Sequence, residues 1–340
     1  MLDLTEDLIQ SMPCASLDRI FYATTGAEAV ENAVKLAKYT TGRPNIICFQ
    51  GGYHGRTQLT MSMTSSAVIY RQRMVTPSSV FIAPFPYELH GQSVEYCLEQ
   101  LQLLFKQQVI PDEVAAMVIE PVLGEGGYVP VPTEFMNSLR QICNEHGILW
   151  IVDEVQTGFG RTGKLFCSEH YPDAPPDILI MAKGLASGFP LSAIAASHKL
   201  TNQQDPGTMG GTYAGNAISC AAALATQRVI REERLVENGR AMGDYLRAGL
   251  EELQTKYPIM RQVRGLGCMI GVELQKDVAP GTSKILSQAC FRNGMMLLSA
   301  SVYPTVRFIP PLTVSKEEVD MALDIFERSL QEIQFCWNNV

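Results

Sequence analysis

The sequence has no paired-cysteine motif, no surplus of basic charge and no long apolar run, and each absence removes a class of function. Its nine cysteines (Cys14, Cys48, Cys97, Cys143, Cys167, Cys220, Cys268, Cys290 and Cys336) are odd in number, and no two form a C-x-x-C pair. Zinc ribbons and dithiol redox centres need such spacing, so neither is indicated and no metal site is expected. Many of these thiols lie in apolar runs, where they act as small hydrophobes, and a reducing, cytoplasmic setting is the natural expectation. Lys and Arg number 27 against 35 Asp and Glu, a formal net charge of −8. That balance leaves nothing over to neutralise a phosphate backbone and argues against nucleic acid as a partner, though it leaves room for a local cationic pocket. No apolar stretch approaches the roughly 20 residues a bilayer span requires. The first ten residues are acidic and amphipathic, unlike a signal peptide. A soluble intracellular protein, with no membrane partner, is expected.

What is present is a large apolar fraction, 46% against 18% charged, in 340 residues. That suits one large domain and a smaller one. Near-continuous apolar runs of strand length occur at NIICFQ (45–50), AAMVIE (115–120), 148–153, 178–182 and 193–197. Runs of this kind are expected of a mostly parallel sheet covered on both faces. Helical periodicity fills 27–39, 93–107 and 133–146 between them. The alternation predicts an α/β fold with three layers, helix, sheet and helix. Beyond Gly215 the pattern changes to a buried helix (216–230) and a charged one (232–256). Short strands at 295–298 and 305–309 follow, with helices at 283–293 and 316–334. This reads as a small C-terminal α+β domain. The expected division is a short N-terminal segment 1–14, a large domain 15–258 and a small domain 259–340.

Several polar motifs fall where these strands end or helices begin. TTGAEA (24–29) opens a helix, and its glycine lets an anion approach the first N–H groups; an ordinary cap by Thr25 is the plainer alternative. GGYHGRT (51–57) follows a strand and offers Tyr53 as a ring platform and Arg56 as a carboxylate clamp, or simply a wet turn. EPVLGEGG (120–127) brings Glu120 and Glu125 among glycines. Asp153 ends a buried strand, a costly place for a carboxylate without a cation; a pyridinium nitrogen or a structural arginine would serve. Lys183 ends another apolar strand, either as a surface residue reaching to water or as a desolvated amine of the kind that forms Schiff bases. An anion site, a ring stack, a partner for a pyridinium and an amine are together what pyridoxal phosphate requires.

At this point the sequence resembles the class III (subgroup II) pyridoxal-phosphate-dependent aminotransferases, close to the 4-aminobutyrate, acetylornithine and ornithine enzymes. The likeness rests on collinear motifs: TTGAEAVENAVKLA, GGYHGRT, EPVLGEGG, VDEVQTGFGRTG, MAKGLASGFPL, GGTYAGNAISCAAA and VRFIPPL. It implies a fold-type I transferase that moves an amino group from an ω-amino acid to 2-oxoglutarate by a ping-pong mechanism. By position, Gly26 and Ala27 would bind the cofactor phosphate, Tyr53 would cover the ring and Asp153 would pair with its nitrogen. Val155 and Gln156 would lie beside the ring, and Lys183 would carry the cofactor as a Schiff base and shuttle the proton. Thr212 would reach the phosphate of a neighbouring subunit, which implies a homodimer. Arg56 matches the arginine for the distal carboxylate and Arg307 the one for an α-carboxylate. Glu125 matches the glutamate that masks Arg307 when an ω-amine binds, and Glu120 would stand behind the site. The family carries a sizeable segment ahead of TTGAEA, so this sequence is expected to be either a shortened form or one whose start has been lost. Two other readings accompany the leading one: an aminomutase of the glutamate-semialdehyde type and an inactive shortened paralogue. The pair of arginines argues against the aminomutase, which has no second dicarboxylate to accommodate.

Overall fold

Strands with no polar face must be covered on both sides, and that requirement sets the architecture. The computed structural model describes residues 1–300 and 302–337; residues 338–340 of the expected C-terminal domain lie outside the described residues. In chain order the elements are α1 (Leu2–Ser11), β1 (Arg19–Ala23), α2 (Gly26–Thr41), β2 (Asn45–Phe49), α3 (Gln58–Met63), β3 (Val80–Ala83), α4 (Val94–Gln107) and β4 (Val114–Ile119). They continue with β5 (Val122–Leu123), β6 (Val129–Pro130), α5 (Thr133–His146), β7 (Leu149–Asp153), β8 (Ile178–Met181), β9 (Ser192–Ala196), α6 (His198–Thr201) and α7 (Ala217–Glu232). The last are α8 (Leu235–Lys256), β10 (Met260–Leu266), β11 (Met269–Leu274), α9 (Thr282–Arg292), β12 (Leu298–Ala300), β13 (Thr305–Phe308) and α10 (Lys316–Trp337). None of the described helices is long and apolar enough to cross a membrane.

Among the described residues, seven strands form one sheet in the order β1-β9-β8-β7-β4-β2-β3. Neighbours from β8 to β3 run parallel, whereas β9 runs antiparallel to both β8 and β1. Its reversal is invisible in the sequence, because a strand buried on both faces reads the same in either direction. Side chains alternate between two cores. Ile46, Cys48, Ala116, Val118 and Ile151 pack on Val30, Ala33 and Ala37 of α2. Ile47, Phe49, Met117, Trp150 and Val152 meet Leu101 of α4 and Phe135 and Leu139 of α5. Each of the Val, Leu, Ile, Phe and Met side chains among them contributes about 1.5–3 kcal/mol by leaving water, the alanines less. α2 is fixed at both ends, by a Thr25–Glu28 capping box and by Gly42 at φ 68°. The edge strands β1 and β3 are additions to the expected set; each is short and half-exposed.

A second, antiparallel sheet follows in the order β10-β11-β13-β12. Ile270, Val272, Leu274, Val306 and Phe308 on one face pack against Leu246 and Leu250 of α8, Leu286 of α9 and Phe326 of α10. The other face carries Arg264, Gly271, Glu273, Thr305 and Arg307, in register across three strands. β12 begins later than the expected 295–298. Gly294 turns the chain at φ 98°, and the Met295 N–H is still bonded to the Cys290 carbonyl at 2.9 Å, so extended backbone starts only at Leu298. At the opposite end of the chain, Leu4 and Leu8 of α1 are buried with Leu17, Tyr22 and Cys220.

Candidate active site

Parallel strands end along one edge of a sheet, and ligands bind outside those carboxyl ends. Here β2 runs into GGYHGRT, β4 into EPVLGEGG, β7 ends on Asp153, and β8 stops two residues before Lys183. A cavity of about 530 Å³ at this edge is lined by Gly26, Ala27, Tyr53, Arg56, Asp153 and Val155. A second, of about 780 Å³, reaches Arg307, and both cavities are lined by Glu125, Gln156 and Lys183. Ten of the eleven sequence-derived site residues therefore line one connected space. Thr212 does not: it lies on an exposed loop ahead of α7 and lines neither cavity.

Asp153 and Glu154 are neighbours with different surroundings. Glu154 points into protein and accepts hydrogen bonds from the Cys167 and Ser168 N–H groups and the Thr157 and Ser168 hydroxyls. Asp153 faces the cavity, with Oδ1 accepting from the Val155 N–H at 3.1 Å. Its cationic partner within the chain is not an arginine. His54 Nδ1 lies 2.8 Å from Asp153 Oδ2, both side chains being buried. Burial alone would pull the His54 pKa down, but the bond to Asp153 and the charges of Asp153 and Glu120 outweigh it and push the value up. Glu120 in turn accepts from the Tyr53 N–H at 2.7 Å and the Gly124 N–H at 3.0 Å, tying two of the loops together. Burial raises its pKa, against the pull of His54.

Lys183 stands in the space the two cavities share. Solvent reaches it through the opening, yet the walls displace most of its hydration. That desolvation lowers its pKa, opposed by the carboxylates of Glu120 and Asp153. Its backbone has φ 34°, a left-handed conformation uncommon for a residue with a side chain and one found mainly where structure around it imposes it.

Two arginines bound the space differently. Arg56 is exposed; its Nε donates to the Tyr53 hydroxyl at 2.9 Å, and its guanidinium lies 4.9 Å from the Tyr70 ring, which meets Tyr53 edge-on. Beside these rings, Arg56 lines the smaller cavity while remaining exposed to solvent. Arg307 is buried at 8% exposure, with Nη1 2.8 Å from Glu125 Oε1 and 3.1 Å from the Gly124 carbonyl. Its Nε is buried without a partner.

The residues present fit pyridoxal phosphate. Gly26 and Ala27 open α2, where the first N–H groups have no intrahelical acceptor and favour an anion. A Cβ on Gly26 would come within 3.2 Å of Val155, so only glycine leaves that approach clear. The Gln156 amide oxygen is buried and unpartnered, capacity left for a polar substituent in the cavity. His54 and Tyr70 were not given roles by the sequence. His54 was visible inside GGYHGRT, but its partner is 99 positions away; Tyr70 ends a single 3-10 turn, Val68–Tyr70, too short to carry a periodicity.

Comparison with known proteins agrees with this chemistry. The model of the family "Aminotransferase class-III" matches residues 1–330. The chain is 44% identical to a 5-aminovalerate aminotransferase of Pseudomonas putida over 98% of its length and 79% of the relative. It is 39% identical to a 4-aminobutyrate aminotransferase of Escherichia coli, over 97% of this chain and 79% of that one. An amine transaminase from an uncultivated Pseudomonas species, solved in a PLP-bound form, superposes with a TM-score of 0.88 at 28% identity, covering 97% of this chain and 80% of that one.

Proposed function

The chain belongs to the class-III aminotransferases, with pyridoxal phosphate as cofactor, and on that premise we propose that it transfers the amino group of an ω-amino acid to 2-oxoglutarate as a cytoplasmic homodimer. The observation that carries this reading is a pair of arginines around one lysine: Arg56 open to solvent, and Arg307 buried and covered by Glu125. An ω-amino acid has one carboxylate, far from its amine, whereas a 2-oxo diacid has two. A site serving both needs one arginine always available and a second that is exposed on demand. Names of relatives that act on 5-aminovalerate and 4-aminobutyrate support the same donor class. The eight cysteines whose side chains are described are unpaired, in keeping with a reducing compartment.

In this reading Gly26 and Ala27 hold the cofactor phosphate, Tyr53 and Val155 flank the ring, Gln156 meets its oxygen and Asp153 its nitrogen. Thr212, on its exposed loop, serves the phosphate of the partner's site. When bound, the cofactor supplies an acceptor for the electron pair left by a breaking carbon–hydrogen bond. His54 and the Val155 N–H keep Asp153 oriented toward the cavity. The lowered pKa of Lys183 leaves more of its amine neutral, so Nζ would take a proton from the amine-bearing carbon of the substrate and hand it to the cofactor's carbon, the two carbons exchanging one proton through the lysine. Arg56 holds the distal carboxylate through a two-pronged contact. Glu125 covers Arg307 for the donor and yields it to the acceptor's α-carboxylate.

Absorption spectroscopy of the purified chain with pyridoxal phosphate tests this. A visible band is expected that fades on adding 4-aminobutyrate or 5-aminovalerate and returns with 2-oxoglutarate; Lys183→Ala removes turnover. A band that ignores both donors would sink the donor assignment. Recovery with a monocarboxylic 2-oxo acid but not 2-oxoglutarate would sink the acceptor. Stoichiometric consumption of 2-oxoglutarate also excludes an aminomutase.

A further inference from the structure

The polar face of the second sheet is organised around one row. Arg264 of β10 pairs with Gly271 of β11, and Gly271 pairs with Arg307 of β13. Directly opposed residues in antiparallel strands share a face, so an arginine stands on each side of a glycine. Loop 124–127, which carries Glu125, is seated on this row. The Gly127 carbonyl accepts from Arg264 Nε at 3.1 Å and from Nη2 at 2.8 Å. It lies so close over Gly271 that a Cβ there would come 2.6 Å from the oxygen. At the other end of the loop, the Gly124 carbonyl and Glu125 Oε1 accept from Arg307 Nη1. One arginine grips each end, and Glu125 stands between them.

The two arginines are not electrostatically alike. Arg264 has a close counter-charge in Glu273, whose Oε2 is 2.9 Å from Nη1 and whose Oε1 Arg261 approaches at 3.9 Å. That fully buried carboxylate also meets the Tyr87 hydroxyl and, at 2.7 Å, His90 Nε2. Arg264 is thereby neutralised and serves as a fixed fork, while Arg307 has only Glu125 as its close acidic partner among the described residues.

We propose that Arg264 and Gly271 are positioning residues for Glu125: by clamping the Gly127 carbonyl they hold Glu125 in the pose that covers Arg307, and so set how strongly the enzyme favours an ω-amino donor over an α-carboxylate substrate in the covered state. The inference rests on the reading of Glu125 as the cover of Arg307. Loosening the clamp frees Glu125 to leave. A donor without an α-carboxylate then faces a bare buried cation, and the acceptor displaces less. The donor's Michaelis constant rises and the acceptor's does not, whereas a general packing defect degrades both half-reactions together.

The test is steady-state kinetics of the holoenzyme with 4-aminobutyrate and 2-oxoglutarate for Gly271→Ala, Arg264→Lys and Glu125→Gln. Gly271→Ala should raise the KM of the donor roughly tenfold, the scale of one hydrogen bond to a charged group, and leave the KM of the acceptor unchanged or lower. Arg264→Lys keeps the charge against Glu273 but loses the two-pronged grip, and should shift the same way by less; it carries the test alone if Gly271→Ala does not fold. If Glu125→Gln changes both constants alike, the cover reading fails and the clamp falls with it. If Glu125→Gln splits them while the other two variants do not, the clamp alone is overturned.

Discussion

Replacing His54 with phenylalanine keeps a flat ring in place and takes away the proton that reaches Asp153. In the wild type, Asp153 Oδ2 lies 2.8 Å from His54 Nδ1, with both side chains out of water. Losing a hydrogen bond to a charged group costs about 1.5–3 kcal/mol. Unfolding entropy of roughly 2.1 cal/mol/K per residue gives about 0.7 kcal/mol/K for a chain of this length, so the apoprotein should melt about 2–4 °C lower. The pH dependence has a definite sign. The folded-state pKa of His54 is raised above an unfolded value near ~6.5. Its contribution is therefore full below about pH 6.5 and is lost as pH rises through the folded value. Differential scanning calorimetry of both apoproteins from pH 6 to pH 9 should show a gap that is widest at the acidic end and narrows upward. A gap that is absent, or that grows with pH, would refute a protonated His54 held by Asp153.

Two further perturbations probe other parts of the molecule. Arg56→Met should raise the KM for 4-aminobutyrate by roughly 10- to 100-fold, the range for losing a charge-assisted carboxylate contact, while the KM for propylamine stays put; equal effects on both amines would remove Arg56 from carboxylate binding. Gly243→Ala, in α8, would set a Cβ 2.1 Å from the carbonyl carbon of Gly267. Overpacking of that kind costs about 1–3 kcal/mol, readable as a lower urea midpoint, and an unchanged midpoint would show that the 266–268 turn moves aside freely.

What the sequence disclosed follows from what each residue must satisfy locally. β4 and β8 were legible because every position in them is buried, leaving an unbroken apolar run. β3, with VFIA, is as apolar and as short as β8, and β1 carries a charge and a phenol in RIFYA; what sets both apart is partial exposure at the sheet edge, which the fold alone reveals. Asp153 and Lys183 were conspicuous because a charge at the end of an apolar strand demands a reason. Their surroundings were less so. The cation beside Asp153 comes from a loop after a different strand, and nothing in GGYHGRT distinguishes a histidine that supports a carboxylate from one in a turn. Arg264 was harder still: its acceptor is a backbone carbonyl, which has no identity in sequence, and the opening that admits it is the missing side chain of Gly271.

The left-handed backbone of Lys183 sets activity against durability at a single position. Strain of this kind costs on the order of 1–3 kcal/mol, and crowding a charged amine out of water adds to it. Glycine would relieve both at once. Breeding this protein for heat resistance alone would therefore tend to discard the lysine early, and a screen for stabilised variants needs a turnover requirement built into it from the first round.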